Sequence, residues 1–422
     1  MKFFLIFLFL KLISSSQITI PFKKIIKEKL TKNNLMKNLI NNDLQIEITL
    51  GSPPQKFPVL IKLGHYPTFI LTTNCPLNIK KFNPSLSSTF REFKKFPKNT
   101  YNFNCDNATY STDNFNLGNE KILVPTLYFL IADNMTTESF LTSGELGLAY
   151  KLFGSAESLN LIDQLKNKKL IENKVFYLDY NNENEGNLFI GNYPHLINKK
   201  KYNYEQLYKA KIFEGITQRY WDLSFEYIYS NNNIIEKDVN VHCEYEFGFI
   251  EGTKTYYNII KQSFFEKYLS NKDCVEVDLN NINQNFYIEC NKNINIKNFP
   301  ILSFENNELK LNFTFNYEEL FYQFEDKLYF LIVFRKSSIN WKFGNVFFKK
   351  YQIYFDRDNK IFGVYLKNKS NINIPYTTFI IVILTLALIV CGSLLYYFIN
   401  LLKRKRKIRA NELEDNFEYI AS

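Results

Sequence analysis

The sequence predicts a mainly β chain folded as two packed lobes, with one membrane-spanning helix near its C-terminus. Three observations predict it. Between residues 44 and 367 apolar side chains come in runs of about 4 to 8, often alternating with polar ones and broken by Asn, Asp, Gly and Lys clusters. Within that stretch only residues 159–170 and 260–269 place apolar side chains at helical spacing. Residues 379–402 form an uncharged apolar run, and about 20 such residues suffice to cross a bilayer.

The chain opens on a secretory-signal pattern over residues 1–16: Lys2, the apolar run Phe3–Leu10, then Ser14, Ser15 and Ser16. Residues 17–43 are basic. Pro21 suits a first helical turn, so a short amphipathic helix is expected over residues 20–30. One lobe is expected over residues 44–200 and the other over 201–370. Alternation marks strands at 44–50, 121–132 and 352–366. Asp358-Asn359 supplies turn chemistry between apolar arms at 346–355 and 361–366, which read as a hairpin. The membrane helix is placed at 377–402, and the basic block at Lys403–Arg409 flanks it. Positive-inside logic puts the tail, 403–422, in the cytosol and everything before the span in the lumen or outside: a single-pass type I membrane protein.

The 422 residues carry 46% hydrophobic and 17% aromatic side chains, enough to bury a large core, and a net charge of +10. The lysines are scattered among Asn, Ile, Phe and Tyr, so no nucleic-acid partner is expected. Cys391 lies in the apolar run. Of the lumenal cysteines, Cys274 and Cys290 enclose a short loop and are the first candidate pair, with Cys75 and Cys105 the second and Cys243 left over. Three histidines and no Cys/His spacing argue against a metal site, and no cofactor is expected. Asn107, Asn134, Asn312 and Asn368 are glycosylation acceptors by pattern.

Several segments carry a family likeness. Residues 44–57 read LQIEITLGSPPQKF, residues 82–90 FNPSLSSTF, and residues 113–118 DNFNLG. Residues 143–150 read SGELGLAY, residues 185–191 EGNLFIG, and Tyr220-Trp221 follows. Residues 341–351 read WKFGNVFFKKY and residues 354–363 YFDRDNKIFG. In this order they resemble the pepsin-like aspartic proteases (peptidase A1) over about three-quarters of the chain. The resemblance implies two β lobes, an interlobe cleft that takes an extended peptide, and a basic pro-segment at residues 17–43.

It also implies a pair of aspartates, one per lobe, that share a proton and activate water. The first slot falls in VLIKLG, residues 59–64, and holds Lys62. Aligning Gly252-Thr253 with the second motif puts Ile250 at the second slot; a shift by one offers Glu251. An ammonium cannot share a carboxyl dyad's proton. Leu63 and His65 replace the neighbouring hydroxyl residues. Tyr101 takes the place of the flap tyrosine that touches substrate, but Asn102 and Asn104 replace the flap's glycines. No catalytic residue is therefore assigned. Lys62 is expected to pair with Glu251 as an inert plug, and pro-segment lysines facing Lys62 should lock poorly. The expected function is a peptide- or protein-binding pseudoprotease in the secretory pathway, in a vacuole- or lysosome-like compartment or at the cell surface. The competing expectation is an active aspartic endopeptidase of the secretory and endolysosomal pathway.

Overall fold

The computed structural model describes residues 17–25, 32–64, 67–95, 105–118, 122–135, 142–150, 159–182, 184–212, 221–279, 285–335, 340–366, 390 and 392–404. The chain divides into two compact units, Met1–Leu366 and Lys367–Ser422.

The first unit holds a thirteen-stranded and an eleven-stranded sheet. Six neighbouring antiparallel strands of the larger sheet form a belt: Leu207–Lys211, Ile361–Tyr365, Gln352–Asp356, Val175–Tyr180, Glu185–Ile190 and Ile18–Lys24. The belt thus joins the chain's first and last described strands to the first lobe. The Leu44–Leu50 strand buries Leu44, Ile46, Ile48 and Leu50 on one face, the alternation that its sequence predicts. One apolar core runs from Ile18 through both lobes to Val364. Trp221 is fully buried in it, against Tyr150, Phe176 and Phe355, and its Nε1 donates to the Leu148 carbonyl at 3.1 Å.

Two expectations of secondary structure need correction. The segment around Pro21 is the strand Ile18–Lys24, not a helix. Ile18, Ile20 and Phe22 are buried with period two, and Pro21 lies exposed between them. The helix comes later, at Lys32–Ile40. The first arm of the C-terminal hairpin is half helical: Asn345–Lys350 forms a helix and the strand starts at Gln352. The helix leaves from Gly344, where an added Cβ would lie 2.0 Å from the Phe249 carbonyl oxygen.

Cys274 and Cys290 face each other across an antiparallel pair and are bonded. Cys75 is not bonded to Cys105. Its thiol is free and buried among Phe69, Leu71, Leu130 and Ala132, in an apolar cluster. Cys243 is also free and buried.

In the second unit residues 392–404 are helical. Among the described residues no helix is long and apolar enough to cross a membrane. Most of the expected span lies outside the described residues, as do the signal segment, His65, Tyr101 and Asn368.

Candidate functional site at the lobe junction

Each lobe builds the same crossing of strands. In the first lobe, Gln55–Lys62 runs parallel to Gly144–Gly147, with Leu60 opposite Glu145 and Lys62 opposite Gly147. The Phe69–Leu71 strand packs antiparallel on the other side, with Phe69 opposite Glu145. In the second lobe, Asn233–Cys243 runs parallel to Trp341–Phe343, with His242 opposite Lys342 and Cys243 opposite Phe343. There Ile250–Gly252 packs antiparallel, with Glu251 opposite Lys342.

Both ladders superpose with one register. Glu145 matches Lys342, Gly147 matches Gly344, Phe69 matches Glu251, and Lys62 therefore matches Glu244. The second slot is thus Glu244, not Ile250. Ile250 is completely buried in the apolar core. Glu246 takes the position of Gly64.

The matched pairs carry exchanged charges. In the second lobe Glu244 is the acid and Lys342 the base, with Lys342 Nζ 3.0 Å from Glu244 Oε2. In the first lobe Lys62 is the base and Glu145 the acid. Lys62 also lies 3.6 Å from Asp43 Oδ1, and Glu246 leans across from the other lobe, its Oε1 3.8 Å from where a Gly64 Cβ would stand. The expected Lys62–Glu251 plug is not formed. Glu251 pairs with Arg335 at 3.4 Å and Lys342 at 3.9 Å, because its strand register turns it toward its own lobe.

Burial alone would lower the Lys62 pKa, but Glu246, Glu145 and Asp43 together hold it above the ordinary lysine range. Burial pushes Glu145 up to about 7, against the pull of Lys62. Burial likewise raises Glu246, and Lys62 again opposes the rise. Glu246 Oε2 is buried without a hydrogen-bond partner. Among the described residues no group of three or more His, Cys, Asp or Glu is placed to hold a metal ion.

The N-terminal segment lies across this junction. Leu35 and Met36, on the Lys32–Ile40 helix, are buried against Phe249, Tyr287, Tyr329 and Val333. Asn41 then forms an antiparallel bridge with Phe247. Gly248 N–H donates to the Ile40 carbonyl at 2.6 Å, and Asn42 N–H to the Glu246 carbonyl at 2.9 Å. The approach needs glycine: a Cβ on Gly248 would lie 1.6 Å from the Leu39 oxygen. Asn42 is fully buried, donating to the Tyr245 carbonyl at 2.8 Å and accepting from Asn345 Nδ2 at 3.1 Å. Tyr180 donates to Asn345 Oδ1 at 3.2 Å and completes the network. Asp43 follows and meets Lys62. The segment therefore presents an acid to a basic slot, and the lysine-to-lysine clash expected from sequence does not arise.

Of the residues that meet at the junction, the sequence alone singles out Lys62 and not Glu244, Glu145, Glu246, Asp43 or Lys342. Signals were present. Gly147 and Gly344 were both visible in their motifs, and each fixes a neighbouring strand's register.

The profile of the family Eukaryotic aspartyl protease matches residues 44–365. The chain belongs to that family, and its two-lobed, mostly β architecture is the pepsin-like fold, which takes peptides in the cleft between its lobes. Pregnancy-associated glycoprotein 2 of Bos taurus is 23% identical over 393 residues, covering 85% of this chain and 98% of that protein. Chymosin of Bos taurus is 25% identical over 338 residues, covering 78% and 81%. Aspartic proteinase A3 of Arabidopsis thaliana is 28% identical over 149 residues, covering 33% and 29%.

Proposed function

We propose that this chain is a type I membrane glycoprotein whose lumenal aspartyl-protease domain no longer cleaves peptides but holds them. Its surroundings are the secretory pathway, a vacuole- or lysosome-like compartment or the cell surface. The reading rests on one observation above the others: the two slots that need a carboxyl pair hold Lys62 and Glu244, each tied up in ion pairs. A protonated lysine neither deprotonates water nor shares a proton with the opposite acid. Leu63 and Tyr245 flank the slots where small hydroxyl residues would be needed, and Glu246 fills the space above Gly64. The membrane anchor rests on the apolar run at 379–402 and its basic flank. Glycosylation rests on the acceptor patterns, of which Asn312 is exposed on the Leu311–Phe315 strand. Tyr101 remains the flap residue by motif alone.

The test is peptide cleavage by the purified full-length chain in detergent, from acid to neutral pH, with and without a transition-state-mimicking aspartic protease inhibitor. Absence of turnover and of inhibitor binding supports the reading. Inhibitor-sensitive cleavage sinks it in favour of an active endopeptidase, whose acids would then have to be sought among Glu145, Glu244 and Glu246.

A further inference from the structure

We propose that the cleft is a receptor for an acid-bearing peptide: an apolar turn of helix followed, at fixed spacing, by an asparagine and an aspartate. The inference rests on the non-catalytic reading above and names the ligand class of that same site. The segment already in place shows what the site recognises, in three layers.

The first layer is apolar. The pocket formed by Phe249, Tyr287, Tyr329 and Val333 takes Leu35 and Met36, which are 0% and 8% exposed. The second is backbone pairing along Glu246–Gly248, indifferent to sequence. The third is polar and selective. The Asn42 carboxamide has its donor on the Tyr245 carbonyl and its acceptor on Asn345. An aliphatic residue there would leave both buried partners unpaired, and an acid would lose the donor. One residue on, a carboxylate reaches Lys62, the base of the inverted pair. A neutral or basic side chain at that point would leave the ammonium facing only carboxyls of the cleft wall.

No part of this recognition depends on the segment being covalently attached. A partner's segment with the same apolar pair, Asn and Asp would satisfy the same groups. The resident segment then acts as a competitor, and binding in trans requires it to leave.

The experiment uses the full-length chain in detergent carrying Leu35→Asp, which makes its own helix unfit for the apolar pocket. A fluorescent peptide with the sequence of residues 32–44, KNNLMKNLINNDL, is titrated by anisotropy. It is expected to bind. Asp43→Asn in the peptide is expected to weaken binding about tenfold or more, as removing one partner of a largely buried ion pair does. That difference should vanish when the protein also carries Lys62→Met. Equal affinity of the Asp and Asn peptides overturns the proposal, as does failure of a folded Leu35→Asp protein to bind either one. Should Leu35→Asp not fold, the pair Asn42→Ala and Asp43→Ala loosens the resident segment through its polar anchors alone, and the same comparisons decide. Mass spectrometry of the recovered peptide keeps the two readings apart: cleavage products overturn the non-catalytic reading, whereas an intact peptide that ignores Lys62 overturns only this one.

Discussion

Replacing Lys62 by methionine should destabilise the fold at neutral and mildly alkaline pH and much less in acid. The side chain is about as long and stays apolar, so packing is kept and the charge is lost. Lys62 serves Glu145, Glu246 and Asp43. Burial raises Glu145 from an ordinary 4.5 to about 7 while Lys62 restrains it. A carboxyl whose pKa is raised by folding contributes stability that is fully present below about pH 4.5. That contribution is lost as the pH climbs through about 7. At about 1.4 kcal/mol per unit, the window for Glu145 alone is worth roughly 3 kcal/mol. Without Lys62, Glu145 and Glu246 rise further, and the loss between pH 5 and pH 8 grows. At pH 5 the protonated glutamates need no counter-ion, and the variant also sheds a desolvated ammonium. Each kcal/mol of that extra loss at pH 8 lowers the melting temperature of a unit of roughly 350 residues by about 1.4 °C, taking about 2.1 cal/mol/K of unfolding entropy per residue. The assay is near-ultraviolet circular dichroism of the full-length chain in detergent, at one scan rate and at both pH values. Equal losses at pH 5 and pH 8 would refute the argument, because they would mean that Lys62 does not neutralise titrating acids.

Gly248→Ala should dislodge residues 32–43, since the new Cβ meets the Leu39 carbonyl oxygen; hydrogen exchange at those amides should accelerate while the belt strands stay protected. Cys274→Ser with Cys290→Ser opens a loop with a sequence separation of 16 and should cost about 3 kcal/mol, read as a lower midpoint in urea. Asn312→Gln should remove one glycan from protein made in a secretory host, visible as faster migration that disappears after deglycosylation.

The fold was legible because its marks are distributed. Each glycine-containing strand motif and each alternating run could drift without erasing the others, and their order survived. The second slot was not legible for a local reason. Glu244-Tyr245-Glu246 has replaced the residues that would announce it, while Gly252-Thr253, eight residues further on, carries a similar glycine-hydroxyl signature and attracts the alignment. Strand register resolves the ambiguity because it depends on backbone pairing with Trp341–Phe343, not on side-chain identity. Pro21 misled for a comparable reason. Proline's fixed φ suits a helix start and also a strand, and only the burial of Ile18, Ile20 and Phe22 chooses between them.

Formal charge at the junction shows why a lysine can occupy an acid's place without ruining the fold. Two bases meet there, Lys62 and Lys342, and two acids hold ion pairs with them: Asp43 and Glu244. Glu145 and Glu246 are surplus to that balance, and burial raises the pKa of each. With protons on both, the cluster is neutral. With both ionised it carries two uncompensated negative charges in a poorly solvated junction, an arrangement that costs stability. The cluster therefore carries the least net charge at mildly acidic pH. Asp43 belongs to the balanced set, so the N-terminal segment is part of the charge structure of the domain. Any partner that displaces it must bring an acid of its own or leave Lys62 with one ion pair fewer.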